Sequence, residues 1–176
     1  AARQAGAVLI FDEIFTGFGR TGSLFAFQHD GVIPDLLCVG KALGGGMPLS
    51  ACIGSREVMD AWPDSRGEAL HTSTFLGHPL ACAAALSFLD VLEEEGLVDL
   101  ASRRGSRLLE RLRRGLSGGE RVAEVRGRGF LVGIELAERE GDDTAPGAAL
   151  AVEALRRGVL VLPAGQRGEV VELSPP

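Results

Sequence analysis

Three short apolar runs in the first third of the chain predict three strands. The runs occupy residues 8–11, 35–39 and 49–54. Each run is continuous rather than alternating, which is typical of strands buried on both faces in a parallel sheet. A helix is expected to begin at His78 and Pro79, because a proline at the first helical position loses no hydrogen bond. The alanines that follow would let this helix pack closely.

The pattern changes in the second half of the chain. Apolar residues at helical spacing over residues 97–116 predict a long amphipathic helix. Shorter elements are expected after it, namely strands at residues 130–136, 159–162 and 170–173 and a helix at residues 146–157. A linking helix followed by an α+β tail indicates two domains, residues 1–95 and 96–176.

Composition narrows the class of protein. Hydrophobic residues make up 45% of the chain and charged residues 24%, which is typical of a globular protein. A net charge of −6 does not predict a nucleic-acid surface, and no apolar run approaches the length of a membrane span. Cys38, Cys52 and Cys82 lie in apolar contexts, which favours unpaired thiols in a reducing cytoplasm. No His/Cys cluster predicts a metal site.

Lys41 is the most informative residue of the sequence. Lysine is rare here, since most basic residues are arginines. Lys41 follows the second apolar run and precedes a glycine cluster at residues 44–46. A lysine at the mouth of a strand is expected to be partly desolvated, which leaves more of the free amine that condenses with an aldehyde. The glycines would let a large ligand approach the backbone.

Asp12 comes directly after the first apolar run. Considered alone, Asp12 is explained equally well by a structural role, as a turn residue or a helix cap, and by a catalytic role. Open α/β sheets bind ligands at the carboxyl ends of their strands, so Asp12 and Lys41 are expected to lie on the same side of one site. An amine for a Schiff base and an anion for a pyridinium nitrogen are what a pyridoxal phosphate enzyme needs. Residues 17–22 also match G-x-G-x-x-G, but neither a strand directly before them nor a helix after them supports a nucleotide site.

Two stretches resemble the class III (ornithine/ω-amino acid type) aminotransferases of fold type I. They read VLIFDEIFTGFGRTGSLFAFQHDGVIPDLLCVGKALGGG over residues 8–46 and HTSTFLGHPLACAAAL over residues 71–86. The resemblance covers the whole chain. It implies an α/β fold: part of the large domain, with a mostly parallel, three-layer sheet, and a small α+β C-terminal domain. It also implies that only the C-terminal half of the enzyme is present, so that this chain alone is incomplete and inactive.

The resemblance implies a role for four residues. Lys41 would hold pyridoxal 5'-phosphate as a Schiff base and shuttle a proton, and Asp12 would pair with the ring nitrogen. Ile14 would lie on one face of the cofactor ring, although core packing alone also explains it. Thr74 would bind the cofactor phosphate in the partner subunit's site, which makes a homodimer the expected assembly; without the resemblance, Thr74 is a helix cap.

Two departures from the family concern substrate choice. Phe15 stands where several relatives carry a glutamine that contacts the ring hydroxyl of the cofactor. Glu172 stands where many relatives carry an arginine that binds the substrate α-carboxylate, and a carboxylate there would repel such a substrate. Arg167 is a possible substitute. The departures favour a donor that is an ω-amino acid or an amine.

The expected function is therefore cofactor-dependent transamination between an amino donor and a keto acid. Two alternatives remain open at this point. One is an aminomutase or decarboxylase on the same scaffold, which would not consume a keto-acid acceptor. The other is a non-catalytic fragment or pseudoenzyme with an interaction role.

Overall fold

The computed structural model describes residues 2–67, 71–137 and 145–176. These residues form two compact units. The first unit comprises Ala1–Phe18 and Leu24–Leu97, and the second comprises Gly19–Ser23 and Val98–Pro176. The short segment Gly19–Ser23 therefore packs with the C-terminal unit. The predicted domain boundary of the complete enzyme, between residues 95 and 96, stays a prediction.

The first unit is built on a three-stranded sheet. Its strands are β1 (Ile10–Asp12), β2 (Leu36–Val39) and β3 (Ala51–Gly54), with β2 in the middle. β1 and β2 run parallel, whereas β3 runs antiparallel to β2. The three predicted strands are confirmed, but the expectation that the third is parallel is wrong. Only a short connection separates β2 from β3, and parallel neighbours need a long crossover.

The burial of the three strands also differs from the prediction. Leu37 and Val39 of the central strand are buried, whereas Ile10 of β1 is 57% exposed and Ile53 of β3 is 53% exposed. The prediction of strands covered on both faces is therefore wrong for β1 and β3. They are the edge strands of this sheet, and each lacks the second neighbouring strand that β2 has.

Two α-helices complete the first unit. Helix α1 (Arg56–Asp60) was not predicted; it begins after Ser55, whose Oγ accepts a hydrogen bond from the Val58 amide. Helix α2 (Pro79–Glu94) begins where the sequence predicts, with Pro79 as its first residue. Its alanines allow close packing, since a Cβ added at Gly45 would lie 2.9 Å from the carbonyl oxygen of Ala84.

The second unit packs helices against an antiparallel sheet. The helices are α3 (Leu97–Leu116) and α4 (Pro146–Arg156), and the strands are β4 (Val122–Arg128), β5 (Leu131–Leu136), β6 (Leu162–Ala164) and β7 (Val170–Leu173). The strand order is β4-β5-β7-β6. Ile134, Leu136 and Val171 form the core of this unit, and Leu112 and Leu116 of α3 pack against them.

Two strands of the second unit depart from the prediction. β4 was missed because Glu124, Arg126 and Arg128 interrupt its apolar pattern. β6 begins at Leu162, where the predicted strand ends. The amide of Val159 still donates to the carbonyl of Ala154 at the end of α4, which delays the start of the strand. Within the described helices, none combines the length and the apolar content needed to cross a membrane.

Candidate active site

The carboxyl ends of β1 and β2 bring the two principal candidate residues to the same edge of the sheet. Asp12 is the last residue of β1 and pairs with Cys38 in β2. Lys41 follows the end of β2 after one glycine. The amide of Glu13 donates to the carbonyl of Cys38 at 2.9 Å, which continues the alignment beyond the last strand residue. The predicted juxtaposition of an amine and a carboxylate thus has a simple origin in a parallel strand pair.

Lys41, the only lysine of the chain, has an unusual backbone conformation. Its φ of 46° lies in the left-handed region that side-chain-bearing residues seldom adopt. It begins a 3-10 helix, Lys41–Gly44, and its Nζ lies 4.2 Å from the centroid of the Phe15 ring. Residues held in such conformations cluster at functional sites. The side chain is exposed, so the expected desolvation of Lys41 by burial is wrong for this chain.

The glycines around Lys41 serve close packing within the chain. A Cβ at Gly40 would lie 3.4 Å from the Ile14 Cγ2 atom, and a Cβ at Gly45 would meet the backbone of α2. Gly45 also adopts a left-handed φ of 56°, as the residue that ends the 3-10 helix. Gly46, in contrast, has open space around it. These contacts fix the loop that carries Lys41 between β1 and α2.

The carboxylate of Asp12 has a structural role through one oxygen and can still accept a hydrogen bond through the other. The carboxylate is exposed, and its Oδ1 accepts a hydrogen bond of 2.9 Å from the amide of Ile14. The chain turns at this point, as one of the two readings of Asp12 predicts. The hydrogen bond orients the carboxylate and leaves Oδ2 available to a ligand. Ile14 itself is half-buried and touches the Gly40 position, so its side chain lies beside the same strand ends.

Glu13 is a residue of this region that the sequence analysis missed. Its side chain is only 2% exposed. The carboxylate accepts hydrogen bonds from the Thr16 hydroxyl and from the amides of Ala26 and Phe27, at 2.9 and 2.8 Å. A buried carboxylate persists only when such donors satisfy it. Glu13 therefore ties residues 26 and 27 to the end of β1 and immobilises its neighbours in the chain.

Thr74 lies in the turn that precedes α2, with its side chain exposed. The interpretation of Thr74 as the helix cap is wrong, because His78 occupies that position. The Nδ1 atom of His78 accepts a hydrogen bond of 3.4 Å from the Ala81 amide, so His78 caps the start of α2. The predicted contact of Thr74 with a partner subunit stays a prediction.

Glu172 lies on β7 in the second unit, opposite Gly133 of β5. It is half-buried and lines a cleft of about 530 Å³ together with Arg113, Arg126 and Arg128. The guanidinium of Arg126 is already bonded to the carboxylates of two glutamates, which raises its pKa further. Arg126 is thus neutralised by its two glutamate partners, and Arg113 and Arg128 are the other cationic residues that line this cleft with Glu172.

Comparisons with known proteins bear on this arrangement. A family model described as aminotransferase class-III matches residues 1–176. The 4-aminobutyrate aminotransferase of Mycobacterium leprae (strain TN) is 38% identical over 176 residues, covering 99% of this chain and 39% of that protein. The acetylornithine aminotransferase of Nitrosomonas europaea is 42% identical over 158 residues, covering 90% of this chain and 37% of that protein. The solved ornithine aminotransferase of Toxoplasma gondii has a TM-score of 0.86 at 41% identity, covering 99% of this chain and 40% of that one.

The described units are thus part of a fold type I aminotransferase fold. The chain belongs to the class III aminotransferases, a family that depends on pyridoxal phosphate. The resemblance seen in the sequence and the predicted α/β fold class are both confirmed. The chain spans about 40% of the length of the relatives that it matches.

Proposed function

We propose that the protein carrying this chain is a pyridoxal phosphate-dependent aminotransferase that moves an amino group from an amine donor to a keto acid. The observation that supports this most is the position of Asp12 and Lys41 at adjacent carboxyl ends of a parallel strand pair. Both side chains are exposed at that edge, where a cofactor can reach them. Membership of the class III family agrees with this chemistry.

The residues at this edge fit the cofactor. Pyridoxal phosphate, when bound, supplies an electron sink for the substrate carbon that loses its proton. Lys41 would bind the cofactor aldehyde through Nζ and, once released by the incoming amine, would accept that proton at Nζ and return it at the cofactor carbon that carried the aldehyde. Asp12 would hold a proton on the ring nitrogen through Oδ2, since its Oδ1 is engaged by the Ile14 amide. Ile14 would pack on one face of the ring.

The donor is proposed to be an ω-amino acid or a simple amine. The first support is Glu172, a carboxylate at the position where many relatives bind an α-carboxylate with arginine. The second is the name of one relative, a 4-aminobutyrate aminotransferase. A keto-acid acceptor assay separates transamination from aminomutase or decarboxylase chemistry, because only the first consumes the acceptor. The three free cysteines support a reducing compartment such as the cytoplasm.

The test of the Schiff-base role is reduction of the cofactor-loaded, full-length protein with borohydride. We expect the cofactor to be fixed to the peptide that contains Lys41, with loss of the visible absorbance. Lys41→Arg keeps the cation and should abolish both the label and turnover. Because this chain has no second lysine, a label on any lysine outside it would contradict the assignment.

Homodimerisation is proposed as a requirement for catalysis, with Thr74 acting in the partner's site. The exposed position of Thr74 at the start of α2 leaves its hydroxyl available to another chain. Co-expression of Lys41→Ala and Thr74→Ala chains tests this. In a mixed dimer, a trans role leaves one site with both residues intact, so activity should reappear. A cis role leaves neither site intact, and mixed dimers would stay inactive.

A further inference from the structure

Cys38 and Cys52 face each other across the first sheet. Cys38 lies on β2 and Cys52 on β3, and the two are direct partners in this antiparallel pair. Directly opposite residues in such a pair have Cβ atoms about 4.5–5.5 Å apart, close to the spacing of a disulfide. Cys82, the third cysteine, lies on α2.

The two thiols differ in their surroundings. The pKa of the Cys38 thiol is raised, first by desolvation, then by the neighbouring Cys52 and further by the charge of Asp12. Cys38 thus keeps its proton and interacts electrostatically with the carboxylate that we place at the cofactor. Cys52 is exposed, so it is the sulfur that a dissolved oxidant reaches first.

The pair also encloses the loop that carries Lys41. Residues 39–51 lie between the two cysteines, and they include the 3-10 helix that Lys41 begins. Lys41 is three residues from Cys38. Between them, Gly40 packs against both Ile14 and Ser50, since a Cβ there would lie 3.4 Å from each. A movement of the strand ends is therefore transmitted to Lys41.

We propose that Cys38 and Cys52 form a reversible disulfide with a low-molecular-weight disulfide as oxidant, and that the bond inactivates the site by displacing Lys41. The second part rests on the proposed function; the first does not. Directly opposite residues have Cβ atoms about 4.5–5.5 Å apart, and a disulfide brings them to about 3.5–4.5 Å, so formation of the bond pulls the end of β2 toward β3. The left-handed backbone at Lys41 leaves that residue little freedom to compensate.

The reaction balances in two exchange steps. The Cys52 thiolate attacks one sulfur of glutathione disulfide, forming a mixed disulfide and releasing one glutathione thiolate. The Cys38 thiol then loses its proton, and its sulfur attacks the Cys52 sulfur, releasing the second glutathione. Two protein thiols are oxidised, and one glutathione disulfide is reduced to two thiols. Excess dithiol reverses both steps.

The experiment exposes the full-length holoenzyme to glutathione disulfide and maps its peptides without reduction. We expect a cross-link between the Cys38 and Cys52 peptides and the loss of two hydrogen atoms in mass. Turnover should fall by at least about tenfold, since small misplacements of a reacting group carry large rate costs. Dithiothreitol should restore turnover. The Cys52→Ser enzyme should keep its turnover under both conditions, whereas Cys82→Ser should still be cross-linked and inactivated.

The peptide map and the turnover separate the possible failures. Thiols that stay unlinked, or that carry only glutathione, overturn the disulfide site. A cross-linked enzyme with undiminished turnover overturns the inactivation. An enzyme that shows no transamination even in reductant contradicts the proposed function, and the peptide map still decides whether the cysteine pair reacts.

Discussion

The side chain of Lys41 lies over the ring of Phe15, with Nζ 4.2 Å from the ring centroid. A cation placed over an aromatic face gains about 0.5–1 kcal/mol at an exposed site. Phe15 cannot contact the ring hydroxyl of the cofactor as glutamine does in several relatives, but its ring makes this contact with Lys41. It offers the amine of Lys41 a resting position over its ring.

Replacement of Phe15 by leucine should slow the proton transfers of Lys41 without loss of the cofactor. The contact is worth about 0.5–1 kcal/mol, so kcat should fall about two- to fivefold. Phe15→Tyr keeps the ring and should retain most of the rate. Steady-state kinetics and the visible absorbance of the bound cofactor measure the two quantities. A leucine variant with unchanged kcat would show that the contact has no part in turnover.

Two replacements of Asp12 should separate the effect of its charge on turnover from the effect of its turn hydrogen bond on stability. Asp12→Asn keeps an oxygen that accepts from the Ile14 amide but removes the charge that we propose to pair with the ring nitrogen. A well-placed charge contributes about 3 kcal/mol, so turnover should fall by at least about a hundredfold. Asp12→Ala should lose as much turnover and also lower the Tm, because the turn loses its acceptor. Near-normal turnover of the asparagine variant would refute the role in catalysis.

The candidate site could be predicted only in part from the sequence. Apolar runs that end in Asp12 and before Lys41 place both residues at strand ends, and the parallel pairing brings these ends together. The strained φ of Lys41 and its contact with Phe15 depend on how Gly40 and Gly45 pack, which no local pattern encodes. The burial of Glu13 likewise depends on donors more than ten residues away.

The fold, like the site, could be predicted only in part from the sequence. Periodicity predicts α2, α3 and α4 well, because apolar residues recur along each of them at helical spacing. The strand β4 escapes the pattern because polar residues dominate it: Arg126 and Glu124 form an exposed ion pair, while Val122 and Val125 pack against the core. The antiparallel direction of β3 depends on the short connection from β2. Such effects arise from pairing between distant residues, which composition and spacing do not report.

A methyl group at Gly105 should destabilise the second unit. Gly105 lies on α3 against the β4–β5 turn, and its added Cβ would lie 2.1 Å from the carbonyl oxygen of Gly129. Backbone cannot yield as a flexible side chain does, so Gly105→Ala should cost about 3 kcal/mol of unfolding free energy. Gly115→Ala on the same helix meets open space and should stabilise by up to about 1 kcal/mol. Thermal unfolding measures both; equal Tm values would contradict the close contact.

The carboxylate of Glu169 should make the stability of the second unit depend on acid pH. Its own amide and that of Arg167 donate to the carboxylate, and these bonds lower the pKa of Glu169 below its usual 4.5. A depressed pKa in the folded state stabilises above pH 4.5, and this contribution is lost as the pH falls through the folded value. Glu169→Gln should thus be less stable than wild type at pH 7 and should approach it at low pH. Glu110→Gln, on the exposed face of α3, is the control; urea midpoints that differ equally at both pH values would contradict the linkage.

Glu172 provides the sharpest test of donor choice. The backbone of Glu172 is held on β7 by the pairing of that strand with β5 and β6. If an arginine at this position binds the α-carboxylate in relatives, its absence removes charge-assisted hydrogen bonds that contribute about 1.5–3 kcal/mol each. Glu172 would add repulsion. Donors whose reacting amine is remote from a carboxylate should therefore have the higher kcat/KM.

Exchange of the charge at position 172 should reverse this preference. Glu172→Arg should raise kcat/KM for α-amino acids relative to simple amines by about tenfold or more, which corresponds to at least one charge-assisted hydrogen bond. Glu172→Gln removes the repulsion without adding a positive charge to the protein. It should give an intermediate ratio of the two kcat/KM values. Arg167→Ala tests the substitute residue, and its ratio should change only if Arg167 binds a carboxylate. The prediction would be contradicted if the wild type prefers α-amino acids and Glu172→Arg leaves the ratio of kcat/KM values unchanged. Other residues would then select the donor.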